Sequence, residues 1–297
     1  MKYSDIHASI ALVVIALLIW QQTVWAEEPV QPADQPSQAA EQAPQKKPQR
    51  SPYAGLTEIP KRYLDDAVYI LSSPTRLDKN DIIPLVFVFG GTAGLMAADK
   101  SIRSVVQEDL YDEDFEETLK GMKYLGDGVW DAVICGGFYI GGLMFRDEHL
   151  KEIAIAGGEA LLFAGGISQG IKNLTGRYRP ETEKGPFEWR GPTTASSISF
   201  PSGHATMAFA LASVIATEYD DNILIDIASY GTASLVAFER VYSDSHWTSD
   251  VFFGAAIGIA VGRSIVIRNK KKQESLALKP VIDIDRDLFG VALNKRF

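Results

Sequence analysis

Between residues 82 and 267 the chain is a succession of apolar stretches joined by short polar turns, and this pattern restricts the fold more than any other feature. The apolar stretches are too long for strands and carry the spacing of helices. Helices are expected at 60–73, 82–98, 129–145, 152–174, 203–219, 223–240 and 246–267, with a strongly charged amphipathic one over 101–125. Asp220-Asp221-Asn222 is a polar stop between two of them. The expected fold is all-α, a helical bundle. Residues 278–297 alternate more like strands (Ile282, Ile284; Phe289, Val291, Leu293) and allow a short C-terminal β-hairpin.

The ends differ from this middle. Lys2, an apolar run from Ile10 to Trp20 and Val24-Trp25-Ala26 form the pattern of a secretory signal peptide cut after Ala26; an uncleaved anchor is the alternative. Residues 27–58 start as a Pro/Gln/Ala/Glu-rich tether that cannot bury enough apolar surface to fold. The expected organisation is a signal peptide at 1–26, a tether at 27–58, a helical domain at 59–275 and a tail or hairpin at 276–297. The 297 residues carry a net charge of −9 and no basic run interleaved with aromatics, which argues against nucleic acid as a partner. Cys135 is the only cysteine, so an intrachain disulfide and Cys-rich zinc sites are excluded.

Three clusters carry chemistry. Lys172-Asn173-Leu174-Thr175-Gly176-Arg177-Tyr178-Arg179-Pro180 gathers three cations where an apolar helix ends. Phe200-Pro201-Ser202-Gly203-His204 opens the next helix, where free N–H groups and the positive end of the dipole attract anions. Arg240 closes a third helix, and His246 and Asp250, four apart, share a face at the start of the last. Each has a plain structural reading alone: dipole compensation, capping, a surface hydrogen bond. Antiparallel neighbours, however, bring the chain back to the same end at every second connection, so all three should meet at one end of the bundle. There they would form an oxyanion pocket that contains a nucleophile.

Lys172-x₆-Arg179-Pro180, Pro201-Ser202-Gly203-His204 and Arg240-x₅-His246-x₃-Asp250 resemble the three signature motifs of the type 2 phosphatidic acid phosphatase family, whose superfamily includes bacterial acid phosphatases and vanadium haloperoxidases. The resemblance implies a phosphoric monoester hydrolase that needs no metal or other cofactor. It makes His246 the nucleophile, Asp250 its orienting partner, and His204 the acid and then the base. Lys172, Arg179, Ser202, Gly203 and Arg240 would hold the phosphate. Glu239 departs from the pattern, which usually has Ser before the Arg. The implied substrate is a phosphorylated small molecule or lipid: lipid A phosphate, a polyprenyl pyrophosphate or phosphatidate. A vanadium-dependent haloperoxidase and a non-catalytic anion-binding envelope protein are the alternatives.

Apolar helices at 82–98 and 251–268 are long enough to approach a membrane span, whereas Asp131, Glu159, Gln169 and Asp226 interrupt others, and the mean hydropathy is −0.01. Cleavage after Ala26 would place the site end in the cytoplasm if the helices cross. The cationic Arg268–Lys272 segment, at the other end, belongs there by the positive-inside rule. A periplasmic domain, soluble or on the membrane surface, avoids this conflict and is the expected location, with an integral membrane protein as the alternative. Among the remaining residues, Trp189 and Phe187 in the 181–199 connection are candidates for the rim of the entrance, with Lys184 and Arg190 weaker ones.

Overall fold

The structure, a computed structural model, describes residues 59–220, 222–283 and 288–293, with side chains described up to residue 273. The expected signal peptide and the whole of the tether lie outside these residues. The described helices are α1 (Ile59–Leu71), α2 (Ile82–Ser104), α3 (Glu113–Leu119), α4 (Gly128–Phe145), α5 (Glu148–Thr175), α6 (Gly203–Glu218), α7 (Ile223–Tyr242) and α8 (Thr248–Ala277). Past α8 the backbone of Leu278–Asp283 pairs antiparallel with Leu288–Leu293, Leu278 opposite Leu293.

Local chemistry sets the helix ends. Asp127, Asp147 and Asn222 cap α4, α5 and α7 by accepting backbone N–H groups of the first turn. Gly176 ends α5 in the left-handed conformation, at φ 62°. The expected long helix over 101–125 is instead broken. α2 passes through a wide turn at Val105–Asp109, and a 3₁₀ segment, Lys120–Gly126, follows the short α3. The seven acids between Glu108 and Glu117 repel one another along a single helix, and Asp112 accepts from Phe115 N as an N-cap, restarting the helix instead of continuing it.

The core is built around α6. Ala205, Ala208, Phe209, Ala212 and Ala216 pack with Tyr230, Val236, Val251 and Ile259 on one side. Ala210 and Val214 pack with Ile153, Ala156, Ala160 and Ile265 on the other. α6 and α8 approach closely because Gly254, Gly258 and Gly262 line up on α8. A Cβ on Gly254 would lie 2.6 Å from the Ser202 carbonyl, and Gly258 and Gly262 face Thr206 and Ala210 in the same way. This backbone contact holds the entrance of α6 beside the entrance of α8, and Ser202 N donates to Asp250 O at 3.0 Å.

The two ends of the bundle are now defined. Asp99 near the end of α2, Gly126 before α4, Lys172, His204, Arg240 and His246 lie at one end. Asp66 of α1, Glu152, Arg268 and Lys272 lie at the other.

Candidate active site

The sequence expected eight residues to meet, and the fold brings them together. The exit of α5 supplies Lys172, and the following loop supplies Arg179. Lys172 faces the start of α6: its Nζ is 4.0 Å from where a Cβ on Gly203 would be. Ser202 is the N-cap of α6, its hydroxyl accepting from Ala205 N at 3.4 Å. His204 lies two residues further, within the electrostatic field of Arg240, Asp127, Lys172 and Arg179. His246 sits between α7 and α8, where its backbone N–H donates to the Arg240 carbonyl at 3.0 Å.

Burial dominates the state of His246. The ring is 3% exposed, and loss of water, reinforced by the charges of Lys172, Arg179 and Arg240, holds its pKa well below the usual imidazole value. The imidazole is therefore neutral at pH 7, with a free lone pair in a cationic pocket. Asp250 Oδ2 lies 3.6 Å from His246 Nδ1, which is too long for a hydrogen bond, and Nδ1 has no hydrogen-bond partner among the described residues. The carboxylate is instead held elsewhere: Oδ2 accepts from Trp247 N at 2.9 Å, and Oδ1 accepts from Arg177 at 2.5 Å.

Arg177 is the residue that the sequence reading left without a role. It is fully buried and spends its donors on four partners: Pro186 O at 2.8 Å, Ser249 Oγ at 2.7 Å, Asp250 and, at 2.8 Å, Asp99. Asp99 in turn accepts from Ser249 N and Oγ. Arg177 thus ties the 176–191 loop, α2 and α8 together behind Asp250. An acid at the polar end of the apolar α2 was the available signal for Asp99. Nothing local distinguished Arg177 from its neighbouring cations.

Two expectations gain detail. Arg240 forms a two-pronged ion pair with the adjacent Glu239, which is itself buried, so part of its charge is already matched. Trp189 is exposed and also packs edge-on against Phe200 and beneath the Arg177 guanidinium. Phe187 is exposed, and Lys184 and Arg190 lie over the Tyr178 ring. Among the described residues there is no cluster of three or more His, Cys, Asp or Glu able to hold a metal ion.

The outer surface adds a second observation. α2 with its wide turn (Ile82–Asp109), α4 and the stretch Thr248–Gln273 of α8 are long and apolar enough to cross a membrane. The rest of the protein covers only 11% of the most apolar window of the first and 17% of that of the second. Ile83, Val86, Phe89, Val133, Ile140 and Leu143 point outward. An apolar surface of this extent matches a lipid environment and supports the integral-membrane alternative.

The chain is 32% identical over 118 residues to the lipid A 1-phosphatase of Porphyromonas gingivalis, a stretch covering 39% of this chain and 24% of that protein. The match therefore spans about a quarter of that relative's length. Among solved structures, the transmembrane PAP2-type phosphatidylglycerolphosphate phosphatase of Bacillus subtilis is similar at a TM-score of 0.46 and 20% identity, over 63% of this chain and 96% of that one. LpxE of Aquifex aeolicus is similar at a TM-score of 0.42 and 25% identity, over 58% and 94%. The model of the PAP2 superfamily matches residues 154–274. That segment contains Lys172, Arg179, Ser202, Gly203, His204, Arg240, His246 and Asp250, and over it the chain is similar to the PAP2 superfamily.

Proposed function

We propose that the chain is a metal-independent lipid phosphatase of the cell envelope that works through a phosphohistidine on His246. The observation that carries this reading is a buried, neutral histidine surrounded by Lys172, Arg179 and Arg240, with a second histidine in the same field. Such a pocket offers a nucleophile and a preorganised charge for a phosphoryl group that spreads negative charge over three oxygens.

In this mechanism the Nε2 lone pair of His246 attacks phosphorus, and the bond to the leaving oxygen breaks as His204, which takes up a proton when the phosphate's negative charge enters the pocket, delivers that proton to it. Lys172, Arg179, Arg240 and the N–H groups at the start of α6 hold the equatorial oxygens. The imidazolium that forms is stabilised by Asp250, whose 3.6 Å separation closes to hydrogen-bond length once Nδ1 carries a positive charge. His204, now neutral, takes a proton from the water that attacks phosphorus. Phosphate leaves, and both histidines return to their starting states.

The ends of the bundle give an orientation. Lys61, Arg76, Lys79, Arg146, Lys151, Arg268 and Lys270–Lys272 lie at the end away from the site and Lys100, Arg103, Lys120, Lys123, Lys184 and Arg190 at the site end, with Lys270–Lys272 the densest cationic run. The positive-inside rule then places the site on the outer face and residue 59 and Lys272 together in the cytoplasm. This arrangement is incompatible with cleavage after Ala26, which would leave residue 59 on the outer side. An outward-facing site in an apolar bundle suits a lipid whose phosphate stands at the membrane surface.

The test is phosphate release in EDTA from phosphatidate in detergent by the full chain, with His246→Ala alongside. Metal-free hydrolysis lost in the variant supports the reading. Full activity in His246→Ala removes the nucleophile assignment.

A further inference from the structure

A lateral groove of about 270 Å³ opens between α4 and α7. Its floor is α6, through Ala208, Leu211, Ala212 and Ile215. These positions lie four, seven, eight and eleven residues beyond His204, so the groove continues down the helix face that begins with that histidine. Small residues of α7, Ala228, Ser229 and Ala233, form one wall, and Asp131 and Ile134 of α4 form the other. Ala228 and Thr232 are exposed, so the groove opens sideways onto the apolar outer surface of the bundle. Compact ligand pockets hold roughly 300–1,000 Å³, so this space suits the first stretch of one chain and not a whole molecule.

Asp131 is what makes the groove more than a packing gap. It is 0% exposed, and neither carboxyl oxygen has a hydrogen-bond partner among the described residues. Glu159, the comparable acid of α5, is paired with Arg62 at 3.0 Å. An acid left unpaired beside Ile134, Leu211 and Ile215 is costly, and a buried polar group without a partner calls for a ligand that supplies one.

We propose that the groove is an acyl-chain subsite, where the Asp131 carboxyl accepts a hydrogen bond from a hydroxyl or amide N–H near the head of the substrate's chain. This rests on the lipid phosphatase reading and narrows it to lipid phosphates whose chains carry a hydrogen-bond donor. The occupant follows from three features: continuity with the His204 face, the opening onto an apolar surface, and an acceptor with nothing to accept.

The experiment compares three lipid phosphates of equal chain length in detergent: plain diacyl phosphatidate, its 3-hydroxyacyl counterpart and one with an amide-linked chain. The full-length protein is assayed as wild type, Asp131→Leu and Asp131→Asn. Wild type should favour a donor-bearing lipid in kcat/KM by about tenfold, the usual scale for one hydrogen bond to a charged group. Which of the two it favours identifies hydroxyl or amide. Asp131→Leu should lose that preference while still hydrolysing phosphatidate, and it should melt no lower than wild type, since it removes an unpaired buried acid. Asp131→Asn, which keeps one acceptor oxygen, should retain part of the preference. Equal turnover of all three lipids by wild type, or a preference that survives in Asp131→Leu, overturns the subsite and leaves the phosphatase standing. Failure of wild type to cleave any of the three overturns the phosphatase reading and this subsite with it.

Discussion

Both ends of this bundle bury charged side chains, but they balance them differently. At the end away from the site, Arg62 pairs with Glu152 at 2.5 Å and Glu159 at 3.0 Å, while Asp66 accepts from Arg268 at 2.7 Å and Lys272 at 2.6 Å. Every cation in that list has a carboxylate, and the network docks α1 onto α5 and α8. At the site end Lys172 has no carboxylate within ion-pairing distance among the described residues, and His246 Nδ1 has no hydrogen-bond partner. Buried charge that is matched fixes a helix in place. Buried charge left in excess of one sign costs stability and is retained where a ligand completes it.

Substitutions at the two ends should therefore separate. Lys172→Met should lower phosphatase kcat/KM by roughly 10²–10³-fold, as for loss of one preorganised oxyanion donor, with no loss of thermal stability. Arg62→Met should do the reverse. Stripping the cation from Glu152 and Glu159 should destabilise the protein by about 3–5 kcal/mol in a thermal or denaturant melt, as for a broken buried ion pair, while the folded fraction keeps its KM. A large activity loss in Arg62→Met without destabilisation would erase the distinction.

Smaller effects sharpen it. Glu239→Ser removes the carboxylate that partly matches Arg240 and should tighten inhibition by inorganic phosphate or vanadate several-fold, read as a lower inhibition constant. Unchanged inhibition would mean that the Glu239 pair does not compete with the ligand. The weakest effect is on pH. With its folded pKa below the unfolded value of about 6.5, His246 binds its proton more readily in the unfolded chain. Its contribution to stability is therefore present above pH 6.5 and is lost as pH falls from there towards the folded pKa. The melting temperature of the ligand-free protein should drop across that window by less in His246→Asn than in wild type.

Arg177 stands between the two behaviours. It is matched, like the far end, by Asp99 and Asp250, yet it holds the carboxylate that faces the nucleophile. Its importance could not be read locally, because Asp99 lies 78 residues away in the sequence and only the packing of α2 against α8 brings it near.

The apolar stretches and their turns determined the all-α bundle, since helices of that length need a shared apolar core or a lipid face. The alternation of chain direction determined that Lys172, Arg179, His204, Arg240 and His246 would meet at one end. Distances belong to the tertiary structure. Where glycines let α6 and α8 touch, how far Asp250 stands from His246, that Arg240 is half-matched by Glu239 and that no described residue pairs with Asp131 all depend on which side chains reach across between helices. Such contacts join residues far apart in the chain, and a helical period specifies a face but not the partner opposite it.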